Sequence, residues 1–195
     1  MAEIMTALYA NARALKAAHD TYIENSPKHL QLRNALRPAI WKKWWAELHH
    51  APWKKECIPD LFSYSTTPVS QDMETFFCSS LFRDRLFLLT GKKVNQLHVQ
   101  LLAFSHGDYL LLHDTLKQPS GTIFFLELTQ KWQHLWGGFT SFVKQQELIR
   151  LYPVPNSLTI FQQENNVNYF VKYVNFYAKN NKRIVLQGTC NTSVQ

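Results

Sequence analysis

Apolar residues recur along positions 3–24 with helical spacing, and the stretch holds neither Gly nor Pro, so a helix is expected there. Ser26-Pro27 has the form of a helix start, an N-cap followed by Pro at the first helical position. It predicts a second helix running to about His49, kinked or divided at Pro38. On that helix Ile40, Trp44 and Leu48 share one face, while Lys42 and Lys43 fall outside it. Pro52, Pro59 and the polar run from Ser63 to Pro68 read as an irregular connection, the one plausible linker, ahead of a third helix from Asp72 to Leu89. Beyond Gly91 the pattern changes to short β-rich runs near 96–104, 108–113, 121–128, 138–143, 157–163, 167–176 and 182–188. Short strands separated by Gly, Pro and Asn predict an antiparallel sandwich or barrel, of which the jelly roll is one form.

Helices followed by a run of strands place the chain in the α+β class, as a jelly roll packed against N-terminal helices. At 195 residues and 46% hydrophobic content, one core can be buried. The expected organisation is a single domain over 1–195, mainly helical through residue 90 and a jelly-roll core over 91–195. No run approaches the roughly 20 apolar residues of a membrane span, and residues 1–5 lack the basic start and apolar centre of a secretory signal. A cytoplasmic protein without membrane contact is therefore expected. Cys57, Cys78 and Cys190 are odd in number and far apart, which points to free thiols rather than a structural zinc.

The net charge of +7 permits an acidic partner, yet the basic excess is spread along the chain: nine Lys/Arg against six Asp/Glu in residues 1–60, twelve against eight in 61–195. The densest cluster is Trp41-Lys42-Lys43-Trp44-Trp45 with Trp53-Lys54-Lys55. It alternates base-stacking rings with phosphate-neutralising ammonium groups, but helical spacing accounts for it more simply as one buried face and one solvated face.

Candidate chemistry concentrates in Phe104 to Thr115. In an extended strand Tyr109, Leu111, His113 and Thr115 lie on one face, and Leu110, Leu112 and Asp114 on the other. Two further groups of residues stand out: the His-x-Asp triplet His106-Gly107-Asp108, where Gly107 predicts a turn, and Arg183 at the start of the last β-rich run. Phosphate-loop, nucleophile-elbow and chelating-histidine patterns are absent; His49 and His50 are consecutive and diverge on a helix.

From about Phe76 onward the chain resembles the prolyl-hydroxylase-like 2-oxoglutarate/Fe(II) oxygenases. The resemblance rests on Phe76-Phe77-Cys78-Ser79-Ser80-Leu81-Phe82, Leu88-Leu89-Thr90-Gly91, Gly107-Asp108-Tyr109-Leu110 and Ile123-Phe124-Phe125-Leu126-Glu127-Leu128. Trp132 through Trp136-Gly137-Gly138, Pro153-Val154-Pro155-Asn156 and Lys182-Arg183-Ile184-Val185-Leu186-Gln187-Gly188 continue it in the family's order. It implies a double-stranded β-helix, Fe(II) and 2-oxoglutarate as cofactors, a peptide or protein substrate, and Arg183 as the anchor of the cosubstrate's far carboxylate. Departures fall at the metal. His113 matches the first iron histidine, but Thr115 stands at the carboxylate position and Tyr169 at the second histidine, while Phe104 replaces a cosubstrate-binding Tyr.

These residues carry two main expectations. The first is an oxygenase-fold protein with a lost or altered iron site and a binding or regulatory role, keeping a mouth around His113, Tyr169 and Arg183 for a small carboxylate or a peptide. The alternative is an active Fe(II)- and 2-oxoglutarate-dependent protein hydroxylase with atypical ligands, His113 with Asp114, or His106 with Asp108. Nucleic-acid binding through the Trp/Lys cluster is the weakest of the three.

Overall fold

A computed structural model describes residues 4–6, 11–112, 121–144, 147–164 and 167–193. The first helix, α1 (Ala12–Glu24), starts later than the apolar spacing suggests because Asn11 caps it, its side-chain oxygen accepting from Arg13 N at 2.8 Å. Ser26-Pro27 does not start a helix. It leads into β1 (His29–Leu32), where Leu30 and Leu32 are buried and His29 and Gln31 half-buried. Helix α2 (Pro38–His49) begins at Pro38 rather than kinking there, since a first-turn residue needs no backbone N–H. Trp44 and Leu48 are buried and Lys42 and Lys43 exposed, as the spacing requires. The third predicted helix is two, α3 (Gln71–Phe77) and α4 (Ser80–Thr90), divided where Ser79 caps α4 through a bond from Phe82 N to its hydroxyl.

Among the described residues eleven strands form one curled, antiparallel sheet. After β1 come β2 (Lys54–Ile58), β3 (Phe62–Thr67), β4 (Lys93–Phe104), β5 (Tyr109–Leu110), β6 (Gly121–Glu127) and β7 (Thr140–Lys144). The remainder are β8 (Glu147–Leu151), β9 (Leu158–Gln163), β10 (Val167–Val171) and β11 (Arg183–Ser193). Their order is β1-β9-β6-β11-β4-β3-β5-β10-β7-β8, with β2 beside β3. The stretch read as a linker is thus a β2–β3 hairpin built into the sheet, and β3 bridges β4 to β5. Residue 90 marks no boundary in the sheet, because three strands precede it.

Central strands are buried on both faces, so their sequences read as continuous apolar runs. Toward the helices β4 sends Leu101 and Ala103, β6 sends Phe124 and Leu126, and β11 sends Ile184, Leu186 and Cys190. These meet Trp44, Phe77, Phe82 and Leu89. The alternate residues Leu102, Phe104, Ile123, Phe125 and Val185 face into the curl, where Phe142 of β7 and Tyr169 and Val171 of β10 close over them. Each such fully buried side chain contributes about 1.5–3 kcal/mol.

Candidate functional site

The inner face of β11 carries Arg183, Val185 and Gln187 at alternate positions. Arg183 stands at the mouth of the curl, 3% exposed, with Nε donating to Glu127 Oε2 at 2.9 Å. Glu127 is the last residue of β6, also 3% exposed, and pairs in register with Val185. The remaining Arg183 contacts run from Nη1 to the Gly138 carbonyl at 2.7 Å and to the Thr140 hydroxyl at 3.1 Å. Glu127's other carboxylate oxygen accepts from the Thr129 hydroxyl, which in turn accepts from Ile184 N at 2.8 Å. The pair is therefore both buried and hydrogen-bonded around its perimeter, the condition under which two desolvated charges are tolerated.

Gly137-Gly138 delivers that carbonyl. Both residues have positive φ, 74° and 63°, and a Cβ on Gly137 would lie 2.1 Å from the Tyr173 carbonyl oxygen. Glycine is required here by conformation and by close approach of two backbones. Trp132 Nε1 fastens the same turn by donating to Gly137 O at 2.9 Å.

Deeper in the curl, Gln187 Nε2 donates to the Tyr169 hydroxyl at 3.1 Å, and the Tyr169 ring packs on Phe125 and Phe161 at centroid distances of 5.6 and 5.4 Å. Phe104 lies in the same cluster, fully buried. The space left beside Arg183, lined by Phe125, Tyr152, Ser157 and Thr159, amounts to about 10 Å³. That is room for at most one water.

His106 and Asp108 do not share a partner. Asp108 is 0% exposed and accepts from Ser63 Oγ at 2.7 Å, from Ser105 N at 2.8 Å and from the Lys55 ammonium, which fixes the turn through Gly107 to the β2–β3 hairpin. His106 is exposed, its ring edge-on to Tyr173 at 6.3 Å. Asp108 thus serves the turn through Gly107 and its tie to the β2–β3 hairpin. His113, Asp114 and Thr115 lie outside the described residues. Among the described residues no three His, Cys, Asp or Glu side chains come together as a metal site.

The Trp/Lys cluster is largely architectural. Trp44 is buried, Trp41 Nε1 donates to Glu127 O at 3.2 Å, and Trp53 Nε1 to Leu48 O at 3.0 Å. Sequence reasoning quoted Glu127 within an apolar strand without giving it a role. A single charge in a run expected to be buried on both faces was the available signal, because such a residue needs an opposite charge. Thr129, Thr140 and Gln187 carried no comparable mark.

A family model described as "Oxoglutarate and iron-dependent oxygenase degradation C-term" matches residues 8–193. Prolyl 3-hydroxylase OGFOD1 of Xenopus laevis is 30% identical over 91 residues, 43% of this chain and 17% of that protein. The Mus musculus protein of the same name is 31% identical over 80 residues, 39% of this chain and 15% of its own length. The chain thus matches only a small part of these relatives. Among solved structures, a prolyl hydroxylase from Trichoplax adhaerens, in complex with a hypoxia inducible factor oxygen degradation domain peptide fragment, superposes with a TM-score of 0.74. The identity is 11%, covering 97% of this chain and 94% of that one. A Pseudomonas putida prolyl-4-hydroxylase gives a TM-score of 0.69 at 13% identity over 92% of this chain and 100% of that one. At such identities the likeness is one of fold, and the fold is the prolyl-hydroxylase jelly roll. No described helix is long and apolar enough to cross a membrane.

Proposed function

The chain belongs to the oxoglutarate and iron-dependent oxygenase degradation C-terminal family, and from that premise we propose that it is a non-catalytic jelly-roll module acting by binding a protein or peptide in a regulatory role. The observation that carries this reading is the Glu127–Arg183 pair. In the resemblance, Arg183 is the cation that receives the far carboxylate of 2-oxoglutarate; here a carboxylate from the chain's own β6 meets its Nε at 2.9 Å. Guanidinium offers a planar fork to a single carboxylate, and the fork's remaining contacts go to Gly138 and Thr140.

Tested against the described residues, 2-oxoglutarate does not fit. About 10 Å³ beside Arg183 is far below the roughly 300 Å³ at which small-molecule pockets begin. At the position the resemblance gives to the distal iron histidine, Tyr169 offers a phenol already bonded to Gln187, a poor match for Fe(II). Internal packing has taken the place of the cosubstrate.

The test is ligand-induced stabilisation together with turnover. Millimolar 2-oxoglutarate leaves the melting temperature of the native chain unchanged, and no Fe(II)-dependent succinate appears. Replacing Glu127 by Ala lowers the melting temperature, and added acetate restores part of it by filling the vacated carboxylate position. Stabilisation of the unmodified chain by 2-oxoglutarate, with succinate release, would overturn the reading in favour of an active hydroxylase using His113 and Asp114.

A further inference from the structure

We propose that the cleft between α2, the segment following β6 and the loop before β11 is a docking groove for an acidic peptide. The cleft is about 260 Å³ in volume. It is lined by the half-buried rings of Trp45 and Trp53 and by the buried Leu48, Thr129 and Ile184. Lys131 from the segment following β6, and Asn180 with Lys182 from the loop before β11, also line it.

Every ionisable side chain lining the cleft is a lysine or a histidine. Lys131 and Lys182 are exposed, and among the described residues neither has an acidic partner. The chain as a whole carries +7, the same sign as these lysines. Both rings have partners. Trp53 is fixed by its bond to Leu48 O at 3.0 Å, and Trp45 packs on His49 at a centroid distance of 5.4 Å. A cleft of mixed lining, with two indole rings and two exposed lysines that have no acidic partner among the described residues, suits an apolar side chain of a peptide flanked by carboxylates. The Asn180 amide makes no hydrogen bond among the described residues and offers a donor and an acceptor to a peptide backbone.

A nucleic-acid strand fits less well. Of the four tryptophans in the sequence cluster, Trp41 and Trp44 are committed elsewhere, so stacking platforms do not continue along a track of phosphate-binding cations. The inference rests on the reading of this domain as a binding module and names its partner class.

The experiment is fluorescence anisotropy on the full chain with a labelled peptide alternating glutamate and leucine. A peptide with lysine in place of every glutamate and a single-stranded oligothymidine serve as the other arms. The acidic peptide is expected to bind saturably and in preference to both. Lys131→Glu with Lys182→Glu lowers its affinity by about tenfold or more, two exposed charges being reversed. Trp45→Ala produces a comparable loss. Lys93→Glu with Lys172→Glu, exposed lysines outside the cleft, makes the same change in net charge and moves affinity less than about twofold. Equal losses from both double variants, no binding at millimolar peptide, or a preference for oligothymidine would overturn the proposal. None of these variants changes the Arg183 or Glu127 side chain, and the 2-oxoglutarate and succinate measurements are made on the unmodified chain, so the two readings stand or fall separately.

Discussion

The two faces of the central strands solve the same burial problem in different ways. Toward the helices, β4, β6 and β11 present aliphatic and aromatic groups to Trp44, Phe77 and Phe82, and stability there comes from shape and exclusion of water. Toward the inside of the curl the same strands also present Glu127, Arg183 and Gln187, each held by specific hydrogen-bond partners. A packed apolar face tolerates exchange of one hydrocarbon group for another of similar volume. A paired polar interior does not, because removing one member strands the other.

The largest break in this comparison comes from Arg183→Met. It leaves the Glu127 carboxylate buried without its counter-charge and should cost about 3–5 kcal/mol, read from urea unfolding. Combining it with Glu127→Leu should recover most of that loss. A double variant no better than the single would mean that the two charges are not energetically coupled. On the helix side the sharpest steric test is Gly188→Ala, whose Cβ would sit 2.0 Å from the Phe124 ring. Displacing that ring from between Phe77 and Phe82 should cost about 1–3 kcal/mol. No loss would show that Phe124 has another rotamer open to it.

A smaller effect separates the faces by pH. Burial pushes the Cys190 thiol from 9.0 up to about 12. In the unfolded chain it ionises near the lower value while the folded chain keeps the proton. Its contribution to stability is therefore complete below pH 9 and is lost as pH climbs toward 12. Cys190→Ala should flatten the alkaline decline in stability above pH 9, measured from urea midpoints. Identical slopes would place the thiol in water. Smallest of all, Lys43→Ala should leave the urea midpoint unchanged, although the ammonium bonds Asp72 at 2.5 Å and its pKa is raised by that hydrogen bond and charge. Exposed pairs exchange one set of water contacts for another.

Legibility in the sequence follows the same division. The runs at β6, β9 and β11 could be read because burial on both faces leaves uninterrupted apolar stretches, and α2 because Trp44 and Leu48 recur at helical spacing. The β2–β3 hairpin was hidden because in Phe62–Thr67 only Ser63 and Thr67 are buried, and both are polar. Strand β1 was masked by Ser26-Pro27, whose form is that of a helix start, and four residues are too few for alternation to contradict it. Arg183 could be picked out as an inward residue near the mouth. Its partner could not, since Glu127 lies 56 positions away and the two meet only through the β6–β11 register.

That register also governs how the domain is made. Of the eleven strands β11 is last in chain order, yet it lies in the middle of the sheet, hydrogen-bonded to β6 on one side and β4 on the other. A ribosome adding about 5–20 residues per second therefore releases β4 and β6 with a vacant slot between them several seconds before the strand that fills it. Throughout that interval both carry unpaired backbone edges and Glu127 waits without a counter-charge. The jelly roll cannot mature segment by segment behind the ribosome. The curl's central pairing waits for β11, and the Glu127 carboxylate meets its counter-charge only when Arg183 arrives.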